Sequence, residues 1–247
     1  MCGFCGFTGQ VAKREEVIRE MAGRITHRGP DSEGYYLDGT IAMAFRRLSI
    51  IDLGGGSQPI YNEDRSKVLM FNGEIYNYRS LRQDLLAAGH VFTTETDSEV
   101  LLHGFEEWGE DLLPRLRGMF AFAIWDKRED SLFLARDNFG IKPMHYTLLP
   151  TGAFLFGSEI KSLLAHPDFV KEFRPEALDA YLSFQYSLPR ETFFKGVYCL
   201  QPGHCLWFRD GKVKERRYFE AVFQPDESMT LEEAVDEIDQ AFTDSVE

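Results

Sequence analysis

Met119-Phe120-Ala121-Phe122-Ala123-Ile124 decides the fold. A run that is apolar at every position cannot turn one face to water, so it predicts a strand covered on both faces. Lys127-Arg128-Glu129-Asp130 reads as a charged turn, and Leu132 to Ala135 returns as a second apolar strand. The hairpin from Met119 to Trp125 and back needs cover above and below. Sheets sandwiched between helix layers supply it.

Outward from the hairpin, sheet and helix signals keep alternating. Phe4 to Thr8, Tyr35 to Leu37, Ile41 to Phe45 and Val68 to Phe71 predict strands. Asp38-Gly39 fits a tight turn between the second and third of these. Arg14 to Ile25 predicts an amphipathic helix with Val17, Ile18, Met21 and Ile25 on one face. Tyr78 to Ala88 and Asp97 to Trp108 predict helices closed by Gly89 and Gly109. Further on, strands at Met144 to Leu148, Phe154 to Phe156 and Cys205 to Phe208 accompany helices at Glu159 to Ala165 and Pro175 to Phe184. From Phe223 to Met229 the chain is polar and reads as a linker. Thr230-Leu231-Glu232-Glu233 is a capping box that opens a last helix. Its apolar face (Leu231, Ala234, Ile238, Ala241, Phe242, Val246) suggests that more protein follows, so the chain reads as a fragment.

Bulk properties exclude several function classes. With 44% apolar residues among 247, the chain can bury a core without staples. A net charge of −13 argues against a nucleic-acid partner, whose binding depends on Lys and Arg contacts to phosphate. No basic segment precedes an apolar core at the N-terminus, and no apolar run is long enough to span a membrane. A cytoplasmic address is the default expectation. Four cysteines in a chain this long do not suggest a disulfide scaffold.

Cys2 is the first residue with chemistry to offer. Initiator Met is normally removed before a small residue, which would leave Cys2 N-terminal. An N-terminal Cys holds a thiol of pKa ~8.5 and an amine of pKa ~8, so nucleophile and base share one residue. Read alone, Cys2 is more simply a small residue behind a start codon.

The sequence strongly resembles the glutaminase domain of asparagine synthetases, a class II (N-terminal-nucleophile) glutamine amidotransferase. The resemblance rests on a colinear series that covers roughly the first ~220 positions. It comprises Met1-Cys2-Gly3, His27-Arg28-Gly29-Pro30-Asp31, Arg47-Leu48-Ser49-Ile50-Ile51-Asp52, Phe71-Asn72-Gly73-Glu74-Ile75-Tyr76-Asn77 and Thr96-Asp97-Ser98-Glu99. Gly118 to Ala123, Ala135-Arg136-Asp137, Gly140-Ile141-Lys142-Pro143, Ser158-Glu159-Ile160-Lys161, Lys195-Gly196 and Leu200 to His204 continue it. One departure is Phe45, where relatives commonly have His; altered packing is the expected consequence.

The resemblance implies an α+β fold, a four-layer αββα N-terminal-nucleophile sandwich of antiparallel sheets. It implies that Cys2 attacks the side-chain amide of L-glutamine, with the Asn72 amide and the Gly73 N–H as oxyanion hole. Pattern alone favours a hairpin turn at Asn72-Gly73 instead. Arg47 is implied to hold the substrate carboxylate and Glu74 and Asp97 its ammonium, with Ile50 and Ile51 in the same substrate set. The plain readings are a surface charge for Arg47, a solvated strand-end charge for Glu74 and an N-cap for Asp97. No cofactor is expected for the glutaminase reaction.

The implied organisation is an amidotransferase domain over 1–222 and, over 223–247, a linker and the first helix of a C-terminal synthetase domain. ATP and Mg2+ belong to that second domain, whose pyrophosphate loop is not in this sequence. A homodimer stays open. Alternatives are a glutaminase serving another acceptor, disfavoured because Arg47-Leu48-Ser49-Ile50 stands where such relatives have Arg-Trp-Ala-Thr, and an inactive glutamine-binding or assembly module. Cys2 and Cys5 have CxxC spacing, but Cys199 and Cys205 do not complete a zinc set, and the six histidines show no metal-binding spacing. Gly54-Gly55-Gly56-Ser57 reads as a flexible turn, and Arg136-Asp137 as a buried structural ion pair.

Overall fold

The computed structural model describes residues 1–49, 57–186 and 190–246. Ile50, Ile51 and the glycines 54–56 therefore lie outside the described residues. Among the described residues, twelve strands form two antiparallel sheets of six. In chain order the elements are β1 (Gly3–Thr8), α1 (Arg14–Gly23), β2 (Ser32–Leu37), β3 (Ile41–Arg47), β4 (Ile60–Tyr61) and β5 (Lys67–Ile75). Then come α2 (Tyr78–Ala87), α3 (Asp97–Trp108), β6 (Gly118–Asp126), β7 (Ser131–Arg136), β8 (His145–Leu148), β9 (Phe154–Gly157) and α4 (Ile160–Leu163). The last are α5 (Pro175–Phe184), β10 (Tyr198–Cys199), β11 (His204–Arg209), β12 (Lys212–Arg217) and α6 (Leu231–Val246). The first sheet runs β10-β8-β9-β1-β3-β2 and the second β12-β11-β7-β6-β5-β4.

Three apolar clusters define the layers. Ala121, Ala123 and Trp125 of β6 meet Phe4, Met43, Phe45, Phe154 and Phe156 of the first sheet, so one face of β6 packs sheet on sheet. Phe120, Phe122 and Ile124 of the same strand pack beneath Leu81 and Leu85 of α2 and Val100, Leu101 and Phe105 of α3. Cys5 and Phe7 of β1 turn outward to Ile18, Met21 and Ala22 of α1 and Leu163 of α4. The order is therefore helix, sheet, sheet, helix: the αββα sandwich. The apolar run at 119–124 has its cause here, since period-two alternation sends each residue into one of two dry layers. Phe45, 2% exposed, belongs to the inter-sheet core.

The structure also corrects local readings. β5 runs on to Ile75, with Asn72 opposite Ala121 and Gly73 opposite Phe120, so Asn72-Gly73 sits inside a strand and is no hairpin turn. β12 (KVKERR) carries no apolar periodicity; as the edge of its sheet it pairs only with β11 and keeps its charges in water. Arg136 and Asp137 do not pair with each other. The Arg136 guanidinium donates to the carbonyls of Gly140, Lys142 and Leu200, and the Asp137 carboxylate accepts the N–H groups of Phe120, Phe139, Ile141 and Lys142. Both serve as backbone clamps. The Thr230–Glu233 capping box forms as expected, each partner bonding the other's backbone N–H at 2.8 and 3.3 Å. No helix among the described residues is long and apolar enough to cross a membrane.

Phe122→Ala, at the centre of β6, removes a ring packed against Phe120 and Phe133. We expect a loss of about 3–5 kcal/mol, read as a lower urea midpoint with an unchanged slope.

Candidate active site

The site is built where β1 and β5 come into contact across the sandwich. β1 lies between β9 and β3, hydrogen-bonded on both edges, so the residue before it is anchored by a central strand. Ser158 tightens this anchor: its Oγ accepts the Phe4 N–H at 3.1 Å and its N–H donates to the Phe4 carbonyl at 2.8 Å. Cys2 is half-buried against the inter-sheet core. Its Sγ lies 3.4 Å from the Leu48 N–H and 3.6 Å from the Leu48 carbonyl. The nucleophile candidate therefore sits against the segment that follows Arg47.

Facing it across the sandwich is the end of β5. Val68 and Met70 point into the inter-sheet core, and the same alternation points Asn72 and Glu74 that way. Asn72 is 2% exposed, and its Nδ2 is buried with no hydrogen-bond partner. A buried amide N–H without an acceptor costs about 1–3 kcal/mol, so such a group calls for a reason. On the outer edge of β5, the Gln58 side chain takes the place of a strand: Oε1 accepts the Phe71 N–H at 2.6 Å and Nε2 donates to the Phe71 carbonyl at 2.8 Å. Two residues on, the Gly73 N–H points to the same edge, past the reach of β4, which pairs only with Val68 and Leu69. A Cβ on Gly73 would stand 2.8 Å from Phe120 Cα and closer still to the Met119 carbonyl oxygen. Glycine is thus required by the close approach of β6.

Two carboxylates gather beside this edge. Asp97 is the first residue of α3, and the N-cap is Thr96, so the cap reading of Asp97 does not hold. Its Oδ2 accepts the Ile75 N–H at 3.0 Å instead, tying α3 to the end of β5. Burial pushes the Asp97 carboxyl above its usual range, against the backbone bonds that lower it. Glu74 is exposed, yet partial desolvation and the neighbouring Asp97 charge also raise its carboxyl, with Lys142 pulling the other way. Two raised carboxyls side by side, one pushed up by burial and the other by burial and its neighbour's charge, form a ready site for a cation. Lys142 reaches the N-terminus as well, with Nζ 3.5 Å from Met1 Sδ. Arg47 ends β3 half-buried, and its carbonyl accepts the Asp31 N–H at 3.1 Å.

Residues without an assigned role in the sequence reading complete the frame. Arg28 Nε donates to the Cys2 carbonyl at 2.9 Å, and its other arm bonds Glu159 Oε1 at 3.0 Å. His27 and Lys161 bond the same carboxylate at 2.9 and 3.0 Å. Burial alone would raise the Glu159 carboxyl, but bonds from His27, Arg28 and Lys161 outweigh it and bring it to about 2. Asp31 holds the far side, its carboxylate accepting the Ser49 N–H at 2.7 Å. The motifs around 27–31 and 158–161 carried these residues, but only the fold brings the two motifs behind Cys2.

The chain matches the family described as glutamine amidotransferase domain over residues 1–219. It belongs to that family. The amidotransferase domain is 43% identical over 252 aligned positions to the glutamine-hydrolyzing asparagine synthetase 1 of Bacillus subtilis (strain 168), covering 100% of this chain and 39% of that protein. It is 45% identical over 216 positions to the glutamine-hydrolyzing asparagine synthetase 2 of the same organism, covering 83% of this chain and 28% of that protein. The domain thus spans well under half the length of these relatives. Among solved structures, the glutamine phosphoribosylpyrophosphate amidotransferase of B. subtilis shares the fold, with a TM-score of 0.65 at 18% identity over 90% of this chain and 50% of that one. A second, the allosteric regulatory enzyme of purine biosynthesis, gives 0.66 at 19% with the same coverage.

The Glu159 carboxyl is depressed in the folded state from its ordinary 4.5 to about 2. Its contribution to stability is therefore full above the unfolded value and is lost as pH falls through that window. Glu159→Gln should lower the urea midpoint at about pH 6 and converge with the parent near about pH 2. A constant difference across that range would contradict the assignment.

Proposed function

We propose that this domain hydrolyses L-glutamine to L-glutamate and ammonia, and that the ammonia serves asparagine synthesis in a C-terminal synthetase domain of the same polypeptide. The observation that carries the hydrolytic reading is the buried Asn72 Nδ2, which has no hydrogen-bond partner among the described residues. A tetrahedral oxyanion is the acceptor that such a preorganised neutral donor suits, with the Gly73 N–H beside it.

Removal of Met1 frees the Cys2 amine, which takes the thiol proton as sulfur attacks the glutamine side-chain carbonyl. The C–S bond forms and the carbonyl electrons move to oxygen, held by Asn72 and Gly73. Collapse expels ammonia, which receives the proton from the Cys2 amine, and leaves a γ-glutamyl thioester. Water then attacks the thioester, releasing glutamate and restoring the thiol. Arg47 offers a planar fork for the substrate carboxylate, and Glu74 and Asp97 receive its ammonium, which relieves their mutual repulsion. None of these steps requires a metal or cofactor; ATP and Mg2+ belong to the acceptor half. Residues 1–222 form the hydrolytic unit in this reading, 223–247 lead into the synthetase domain, and the cytoplasm is its location. The names of the relatives, glutamine-hydrolyzing asparagine synthetases, support asparagine as the final product.

Asn72→Ala should cut kcat roughly 100- to 1000-fold with little change in KM, because the lost donor acts on the transition state. Glutamate release from glutamine reads it directly; a large KM effect with intact kcat would move Asn72 from the oxyanion hole to the binding set. Cys2→Ala should abolish glutamate release while glutamine still raises the melting temperature. Turnover surviving in that variant would overturn the mechanism.

A further inference from the structure

Away from the glutamine site, Glu63, His90 and His103 each place one ligand atom within 4.8 Å of the others. Glu63 lies between β4 and β5, His90 just beyond α2 and His103 within α3. Nothing in their spacing along the chain announces them; the packing of α2 and β5 against α3 makes the cluster.

His103 is the centre. It is 1% exposed, with Nδ1 3.7 Å from Glu63 Oε1 and 3.1 Å from Glu106 Oε2. Its Nε2 is buried with no hydrogen-bond partner and faces Glu99 Oε1 at 3.6 Å. That is the arrangement of a ring ligated through one nitrogen, with the other N–H turned to a carboxylate. The His90 ring lies 5.1 Å from the His103 ring, and its Nε2 is 3.2 Å from Glu107 Oε2. Glu106 is fixed by the Asn62 side-chain amide at 2.7 Å, so it is a positioned oxygen rather than a wandering one. Two imidazoles with carboxylate oxygens form an N/O donor set, which suits zinc and its neighbours in the first transition row. Two ligands of a tetrahedral ion held at ~2.1 Å stand ~3.4 Å apart. The Glu63 side chain, 49% exposed, has the freedom to close the remaining gap.

We propose that Glu63, His90 and His103 bind a divalent transition-metal ion of the zinc class, with Glu106 as the further oxygen donor. The ion is structural. It staples the β4–β5 turn and the α2–α3 connection to α3, the helix that begins with Asp97. Glu99 ties His103 to the segment before α3, since its carboxylate faces His103 and also accepts the N–H groups of Thr93 and Thr94 at 2.7 and 2.6 Å.

The test uses the full chain in a Cys2→Ala background, because an N-terminal Cys can itself chelate zinc. Chelator-stripped protein is titrated with zinc against a chromophoric competitor, and thermal unfolding is followed with and without the metal. We expect about one equivalent bound and a higher melting temperature. His90→Ala and Glu63→Gln, both outside helices and strands, should each weaken zinc binding at least ~10-fold and remove the thermal shift. Melting of the stripped variants checks that they fold. No zinc uptake by the parent, or uptake and shift unchanged in both variants, would overturn the proposal.

Discussion

The placement of β1 in the middle of a sheet is the constraint on which the rest depends. A chain terminus is ordinarily among the least ordered parts of a protein. Here the first strand is paired on both edges, and its side chains are divided between two dry layers. Cys2, one residue before that strand, inherits its rigidity while only half-buried itself. The Ser158 bonds to Phe4 and the Arg28 bond to the Cys2 carbonyl fix the last freedom of that end.

A second consequence of the sandwich is that an inward-facing residue of β5 must be apolar or satisfied. Val68 and Met70 obey this, and Asn72 does not. The exception comes where the inter-sheet core gives out and Cys2, Glu74 and Lys142 take over. Gly73 follows from the same geometry, because β6 runs too close to admit a side chain. The pair proposed as the oxyanion hole is therefore a local breach of a packing rule at one end of a strand that otherwise keeps it.

The charged groups show why the same residue types do different work. Asp137 is almost fully buried and spends its carboxylate on four backbone N–H groups. Glu159 is shared by three cations and lies far below its ordinary pKa. Asp97 and Glu74 are pushed upward by burial, and for Glu74 also by the Asp97 charge, against the pull of Lys142. The first two are saturated by the fold, whereas the last pair retains capacity for a cationic group. Sequence cannot sort these acids, since each stands in an equally distinctive motif.

The sequence pattern called for sheets between helix layers, and the resemblance carried by its motifs implied the four-layer sandwich and the residues of the candidate site. A run apolar at every position demands cover on both faces whatever its neighbours, whereas the roles expected of Cys2, Asn72 and Asp97 came from the resemblance of their motifs. Tertiary structure alone decided which contacts those residues make. It put Asn72-Gly73 in a strand rather than a turn, moved Asp97 from capping a helix to holding Ile75, separated Arg136 from Asp137, and gathered Arg28 and Glu159 behind Cys2. It also assembled Glu63, His90 and His103. The physical reason is the same in each case: burial pattern is written locally, residue by residue, while hydrogen-bond and charge partners depend on which distant strands and helices the closed sandwich brings within about 3 Å of each other.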